Sequence, residues 1–226
     1  MTPDTPDPLD VTARTRLRRH AERGHHDRAT IDAILDEALV CHVGFAVEGR
    51  PWVVPMLHGR DGDRLYLHGA VGNHLLRSLA TGVEACATVT LIDGLVLARS
   101  AFHHSVNYRS VMVFGTPWLV DDDQEKRAAL DVIVDHVLPG RADDSRPASP
   151  RELELTTVIG IPITEASAKI RTGGPVDDEE DVALGHWAGV LPLELRAGEP
   201  IPADDLADDV VLPAYLADPR RPGSGR

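Results

Sequence analysis

The sequence predicts a small antiparallel β-barrel with peripheral helices, a mainly β fold of the α+β class. Three observations predict it. Short apolar segments follow one another from residue 40, separated by Glu48-Gly49, Asp61-Gly62-Asp63 and Asp93-Gly94, and glycine supplies the positive φ of tight hairpin turns. Helical periodicity is confined to a few stretches, so successive strands pair as a meander rather than through βαβ units. No internal repeat divides the chain, and closing a sheet removes edges that would otherwise invite aggregation.

The elements follow in order. Residues 1–12, rich in Pro and Asp with almost no apolar content, are expected to form a disordered tail. Asp27 is placed to cap a helix over 28–39, whose Ile31, Ile34, Leu35, Ala38 and Leu39 recur on one face. "VCHVGFAV" and "RPWVVPML" read as one hairpin, "RLYLHG" as the next strand, and "ACATVTLI" with "LVLARSAF" as a second hairpin turning at Asp93-Gly94. Between them a short helix from Gly72 to about Ala80 buries Leu75, Leu76 and Leu79, with Gly82 as its stop.

"RSVMVFGTPWLV" is a long strand. Asp121, Asp122 and Asp123 then open a helix through about Val137, with acid at its positive end and Leu130, Ile133, Val134 and Val137 on one face. Ser149-Pro150-Arg151-Glu152 has capping-box spacing with Pro at the first helical position. "TTVIGIPITEASAKI" is a last strand, and the chain from Pro192 reads as loop or tail. The expected organisation is one domain over 13–195, with a Pro/Asp-rich extension over 196–226.

Across 226 residues, 23 Lys+Arg face 36 Asp+Glu, a net charge of −13. That argues against a general nucleic-acid or anionic-membrane surface, both of which need a positive field. The charge is uneven: Arg14, Arg16, Arg18, Arg19, Arg23 and Arg28 crowd the start, and "DDEED" and "ADDLADD" load the end. Solvated tails account for this, as does pairing between the ends of one molecule or of two subunits. Cys41 and Cys86, each in an apolar run, are expected to be buried free thiols of a reducing compartment. The N-terminus lacks the character of a secretory signal and no apolar run is long enough to cross a bilayer, so a soluble cytoplasmic protein is expected.

Among chemistries, a GxSxG elbow is missing, and serines beside histidines are common by chance. His103 and His104 are adjacent, so in a strand they face opposite ways and do not chelate one ion, and no metal site is expected. Phosphate binding has more support. "HGAVGNHLLRSL" puts a glycine-containing turn before a helix, with Asn73 and His74 as donors. "NYRS" adds a fixed cation and a hydroxyl from another strand. In "RPWVVPML", Pro55 cannot donate to a ladder, which marks a sheet edge or a local opening where free backbone groups could meet a flat heterocycle.

Taken in order, "ILDEALVCHVGF", "RPWVVPM", "LYLHGAVGNHLLRSL", "DGLVLARSAFHHSVNYRSVMVFG", "EASAKIRTG" and "WAGVLPL" make the chain resemble the pyridoxamine 5′-phosphate oxidase-like flavoproteins with the FMN-binding split-barrel fold, in the branch that includes nitroimidazole-reductase-like proteins. The resemblance runs from about Arg14 to Pro192. It implies a homodimer with FMN between subunits. Val54, Pro55 and Met56 would lie along the isoalloxazine, and His68, Gly69, Asn73 and His74 would take the ribityl chain and phosphate. Arg109 and Ser110 would reach the flavin from the next long strand, and Trp187 would help to cover the site. Two departures argue against pyridoxamine phosphate itself as substrate: Asn73-His74 stands where an Arg-Lys pair holds the FMN phosphate in true oxidases, and the basic set for the substrate phosphate is missing unless Lys169 and Arg171 replace it.

The implied function is an FMN-dependent oxidoreductase. Electrons would pass from NADH or NADPH through flavin N5 to a small organic acceptor such as a nitro compound or quinone. No catalytic acid is identified; His68, His103 and His104 are candidates because imidazole titrates near neutrality. The alternative is a flavin- or haem-binding protein without turnover, for storage, sensing or sequestration, since split barrels host several cofactors. Deazaflavin is a further option.

Overall fold

A computed structural model describes residues 8–217. In chain order its elements are β1 (Gly24–His25), α1 (Arg28–Glu37), β2 (Val40–Val47), β3 (Arg50–Leu57), β4 (Gly59–Asp61), β5 (Arg64–Ala70), α2 (His74–Ala80) and β6 (Ala85–Leu97). There follow β7 (Ser105–Gly115), β8 (Trp118–Leu119), α3 (Asp123–Val137), α4 (Pro150–Glu154), β9 (Thr156–Pro162), β10 (Glu165–Arg171), α5 (Glu179–Val182), β11 (Gly189–Pro192) and α6 (Ala214–Ala217). All strand pairs are antiparallel. One sheet runs β1-β10-β7-β6-β2-β3 with β11 also on β6, and a second runs β4-β5-β9-β8. The mainly β split barrel expected from the sequence is the fold observed.

The two sheets enclose the main core. Cys41, Val43, Phe45, Ala87, Val89, Val111 and Val113 from the first sheet meet Leu65, Leu67, Ile159 and Ile161 from the second, with Ile31, Leu35, Leu76 and Leu79 of the helices closing the ends. On the other side of β5 and β9 a smaller cluster, Tyr66, Val120, Ala129, Ile133 and Val158, is covered by α3. Asp27 caps α1 by accepting from Thr30 N at 2.8 Å, and Ser149 and Glu152 close both bonds of the capping box.

Four expectations are corrected. Asp93-Gly94 is not a hairpin turn. β6 runs straight through it, with an irregularity between Ile92 and Gly94. There β11 lies so close that a Cβ on Gly94 would sit 3.0 Å from the Leu191 carbonyl, so the glycine serves close approach rather than a turn. The expected strand over 109–120 ends at Gly115, because Pro117 has no N–H for the ladder, and β8 joins the second sheet. The expected last strand is two, β9 and β10, in different sheets, divided after Pro162. In α3 the buried face is Ala129, Ile133 and His136, while Val137 is exposed; His136 is held inside by a 2.7 Å bond from its Nε2 to the Ala38 carbonyl.

Of the expected N-terminal tail, residues 1–7 lie outside the described residues. By residue 9 the chain has joined the fold: Leu9 packs on the core and its N–H donates to the His26 carbonyl at 2.8 Å. Arg14 pairs with Glu84 and Glu165, not with the acidic C-terminal segment. Tyr215 of the C-terminal extension donates to Asp144 at 2.5 Å.

Candidate functional site

β3 ends its sheet and pairs only with β2 among the described strands. Half of its backbone donors and acceptors therefore face an open edge, and Pro51 and Pro55 carry no N–H at all. Val54 and Met56 turn their side chains inward onto the core, while Pro55 points out opposite His42. The edge lies beside the start of α2, where the Trp52 and His74 rings are 6.3 Å apart at 44°. The two segments singled out by sequence, 50–57 and 68–74, thus meet in space.

Within the second segment the roles separate. Asn73 spends its carbonyl oxygen capping α2, accepting from Leu75 N at 2.9 Å. Gly69 packs closely on α2: a Cβ there would come 2.7 Å from Leu76 Cδ1, so the Leu76 side chain would have to shift. His68 points the other way. It lies opposite Val158 in the register and shares that face of β5 with Tyr66. Its Nδ1 is buried without a hydrogen-bond partner, and burial holds the imidazole below its ordinary pKa, favouring the neutral ring.

Arg109 and Ser110 are on β7, three strands from β3 in the same sheet. Arg109, expected to reach an anionic cofactor group, is engaged within the chain: Nη2 donates to Glu37 Oε1 and to Asp93 Oδ1, each at 2.8 Å, and Nη1 donates to Glu37 Oε2. These carboxylates raise its pKa further and keep it charged. Ser110 Oγ lies 3.4 Å from the Lys169 carbonyl. Trp187 is exposed and lies over Gly189 of β11, beside the far half of β6. In one chain, then, the strand that carries Val54, Pro55 and Met56 meets the start of α2 through Trp52 and His74, and Gly69 lies against Asn73 and Leu76, while His68 faces the α3 side of β5 and Arg109, Ser110 and Trp187 belong to or precede β7 and β11. Arg171 is buried, donating to Asn107 and to the Gly173 and Gly174 carbonyls.

Sequence reasoning missed the turn that precedes β7. Arg99 N and Nη1 both donate to Asp177, at 2.8 and 2.7 Å, and His103 Nε2 meets Asp178 at 3.1 Å. The "VDD" segment thereby ties the 173–188 loop to the "ARSAFHH" turn. The "HH" pair was visible in the sequence; its anchoring by distant aspartates carried no local signal. Among the described residues no cluster of His, Cys, Asp and Glu is arranged to hold a metal ion, and no helix is long and apolar enough to cross a membrane.

A family model described as pyridoxamine 5′-phosphate oxidase matches residues 27–170. The chain is similar in structure to the flavocytochrome Anf3 from Azotobacter vinelandii, with 40% identity, TM-score 0.86 and coverage of 92% of this chain and 97% of that one. It is similar also to the FAD and haem binding protein from Mycobacterium smegmatis, with 38% identity, TM-score 0.82 and coverage of 86% and 96%. A third structure, from Bacteroides thetaiotaomicron and described as a 5-nitroimidazole antibiotic resistance protein, has 30% identity, TM-score 0.56 and coverage of 65% and 86%. No curated protein matches in sequence.

Proposed function

Because the chain belongs to the pyridoxamine 5′-phosphate oxidase family, we propose that it is a flavin-binding redox protein that also takes haem. The observation that carries this reading is its likeness, at 40% and 38% identity over most of both chains, to two proteins whose names pair these cofactors. It moves the haem alternative forward and joins it to the flavin reading.

The chain offers a flavin the open edge of β3. Free backbone groups at 53–57 are suited to the polar rim of a flat heterocycle, and Trp52 and His74 border the same edge. The turn 71–73 offers an approach for a phosphate, without a cation pair, so binding leans on backbone donors and His74. Bound flavin would supply hydride acceptance at N5 and one-electron exchange. The chain's part is to hold the ring and limit water access. Reduced nicotinamide as donor and a nitro compound or quinone as acceptor belong to this proposal, as does FMN; FAD is the alternative that the test separates.

The proposal includes a homodimer. The outer face of the larger sheet carries exposed apolar side chains on neighbouring strands: Val53 and Leu57 on β3, Val40 on β2, Ile92 on β6 and Met112 on β7. The register places Pro55, His42, Thr88 and Met112 in one row across four strands, and Leu57 beside Val40 in the next. A second copy would cover this face and bring its own residues to the β3 edge.

The test is reconstitution of the full-length protein with FMN, FAD and hemin, separately and together, followed by gel filtration and absorption spectra. Retention of one flavin per chain together with a Soret band supports the reading. Retention of flavin alone removes the haem half. A colourless protein removes both.

A further inference from the structure

We propose that His104 would supply a ligand to the haem iron, in a site that includes the 99–104 turn, Phe102 and Trp187. The assignment rests on the haem reading above and is argued from this chain's own geometry.

His104 Nδ1 lies 2.9 Å from the Ser100 carbonyl. A carbonyl only accepts, so Nδ1 carries the hydrogen, and in the neutral ring the lone pair is on Nε2. Among the described residues nothing accepts or donates at that nitrogen, and the residue is exposed. A backbone carbonyl that fixes the ring orientation and directs the other nitrogen outward is the arrangement found behind metal-bound histidines. His103 differs. Its Nε2 is committed to Asp178, which leaves only the more hindered Nδ1 beside the backbone.

The surroundings suit a flat apolar macrocycle. Phe102 is 90% exposed and Trp187 69% exposed, values unusual for such large rings without a partner. The register relates them to the same end of β6: Trp187 covers Gly189, Gly189 pairs with Leu97, and Val96 pairs with Ser105, next to His104. Phe102 meets the His103 ring edge-on at 5.1 Å.

Two further groups in the same turn are unsatisfied. Arg99 Nε and Ser100 Oγ are both buried with no hydrogen-bond partner, a costly state for polar atoms in a folded chain. The Arg99 guanidinium is ion-paired with Asp177, so what the turn leaves over beside the outward-facing imidazole is the Arg99 Nε–H and the Ser100 hydroxyl, two donors open to a ligand's polar substituents. The turn itself is fixed by the two Asp177 bonds to Arg99. The step assigned is coordination alone: the Nε2 lone pair of neutral His104 forms a bond to iron, with no proton or electron transferred.

The experiment compares wild type, His104→Ala, His104→Gly and His103→Ala, each full length, reconstituted with hemin and desalted. The readouts are hemin retained per chain, Soret position and the ferric electron paramagnetic resonance signal; circular dichroism checks folding, which an exposed residue should leave intact. His104→Ala is expected to weaken hemin retention by at least about tenfold and to change the spin signature. Added imidazole should restore the wild-type spectrum in His104→Gly, and His103→Ala should keep its ligation. If His104→Ala keeps the wild-type spectrum and retention, the assignment fails and the haem reading stands. If the wild type retains no hemin, the haem reading and this assignment fall together, while flavin retention is scored independently.

Discussion

The guanidinium of Arg109 and the carboxylate of Glu37 face each other as a fork, Nη2 to Oε1 at 2.8 Å and Nη1 to Oε2 alongside. The pair ties the last residue of α1 to the centre of β7, and Asp93 completes it from the β6 irregularity. Both partners are largely shielded, with side chains 28% and 20% exposed. Arg109→Met would leave two carboxylates without their cation. It should lower unfolding stability by about 2 kcal/mol, and Arg109→Lys should recover only part of this because an ammonium cannot form the fork. Urea denaturation measures both; an unchanged midpoint in Arg109→Met would show that the fork contributes nothing.

Gly59 allows α3 to approach β4. A Cβ there would stand 2.9 Å from Ile133 N and Cα, and helix backbone cannot give way as a side-chain tip can. Gly59→Ala is therefore expected to cost about 1–3 kcal/mol through displacement of α3. A melting temperature within error of wild type would contradict this.

What the sequence made legible follows from how local each signal is. The hairpin at Glu48-Gly49 has residues 40–47 and 50–57 as its strands because the turn and both alternations lie within 18 consecutive positions. The cap at Asp27 and the box at Ser149 are equally local. Asp93-Gly94 misled for the same reason. The dipeptide carries a turn signal, but the contact that decides its conformation comes from Leu191, far along the chain. Likewise Arg109 beside a serine reads as an anion site until Glu37 and Asp93 are placed next to it, and the burial of His136 goes with a bond to the Ala38 carbonyl that nothing local announces. Of the site, the meeting of 50–57 with the start of α2 followed from a resemblance; the anchoring of the 99–104 turn by Asp177 and Asp178 depended on tertiary contact alone.

The outer face of the larger sheet gives a prediction on assembly. Met112→Asp and Val53→Asp place a charge among exposed apolar side chains without touching the core. Each should shift the protein from dimer to monomer in sedimentation velocity, and lower flavin retention along with it if the second copy completes the β3 edge. A wild type that sediments as a monomer at all concentrations would remove the dimer from the proposal.

Neither thiol is poised for chemistry. Burial pushes the Cys41 thiol up to about 12 and raises that of Cys86 as well, so the reactive thiolate is scarce at neutral pH. Iodoacetamide at neutral pH should leave Cys41 unmodified in the folded protein and alkylate both residues in urea, as read by mass spectrometry. Rapid native labelling of Cys41 would mean that β2 opens far more readily than its packing implies.

His68 should make stability fall on mild acidification. Burial holds its folded-state pKa below the ordinary 6.5, so the unfolded chain binds the proton first. The unfolded state then carries more protons over that window, and the stability gained by keeping the ring neutral at higher pH is lost as pH falls from about 6.5 toward the lower folded value. His68→Gln removes the titration while keeping a polar side chain at the position. Urea denaturation at pH 7.5 and pH 5.5 should give wild type a larger loss than the variant, with the other histidines cancelling in the difference. Equal losses would mean that the imidazole reaches solvent or a partner on protonation, and that its unpartnered Nδ1 is not kept dry by the packing around Val158 and Tyr66.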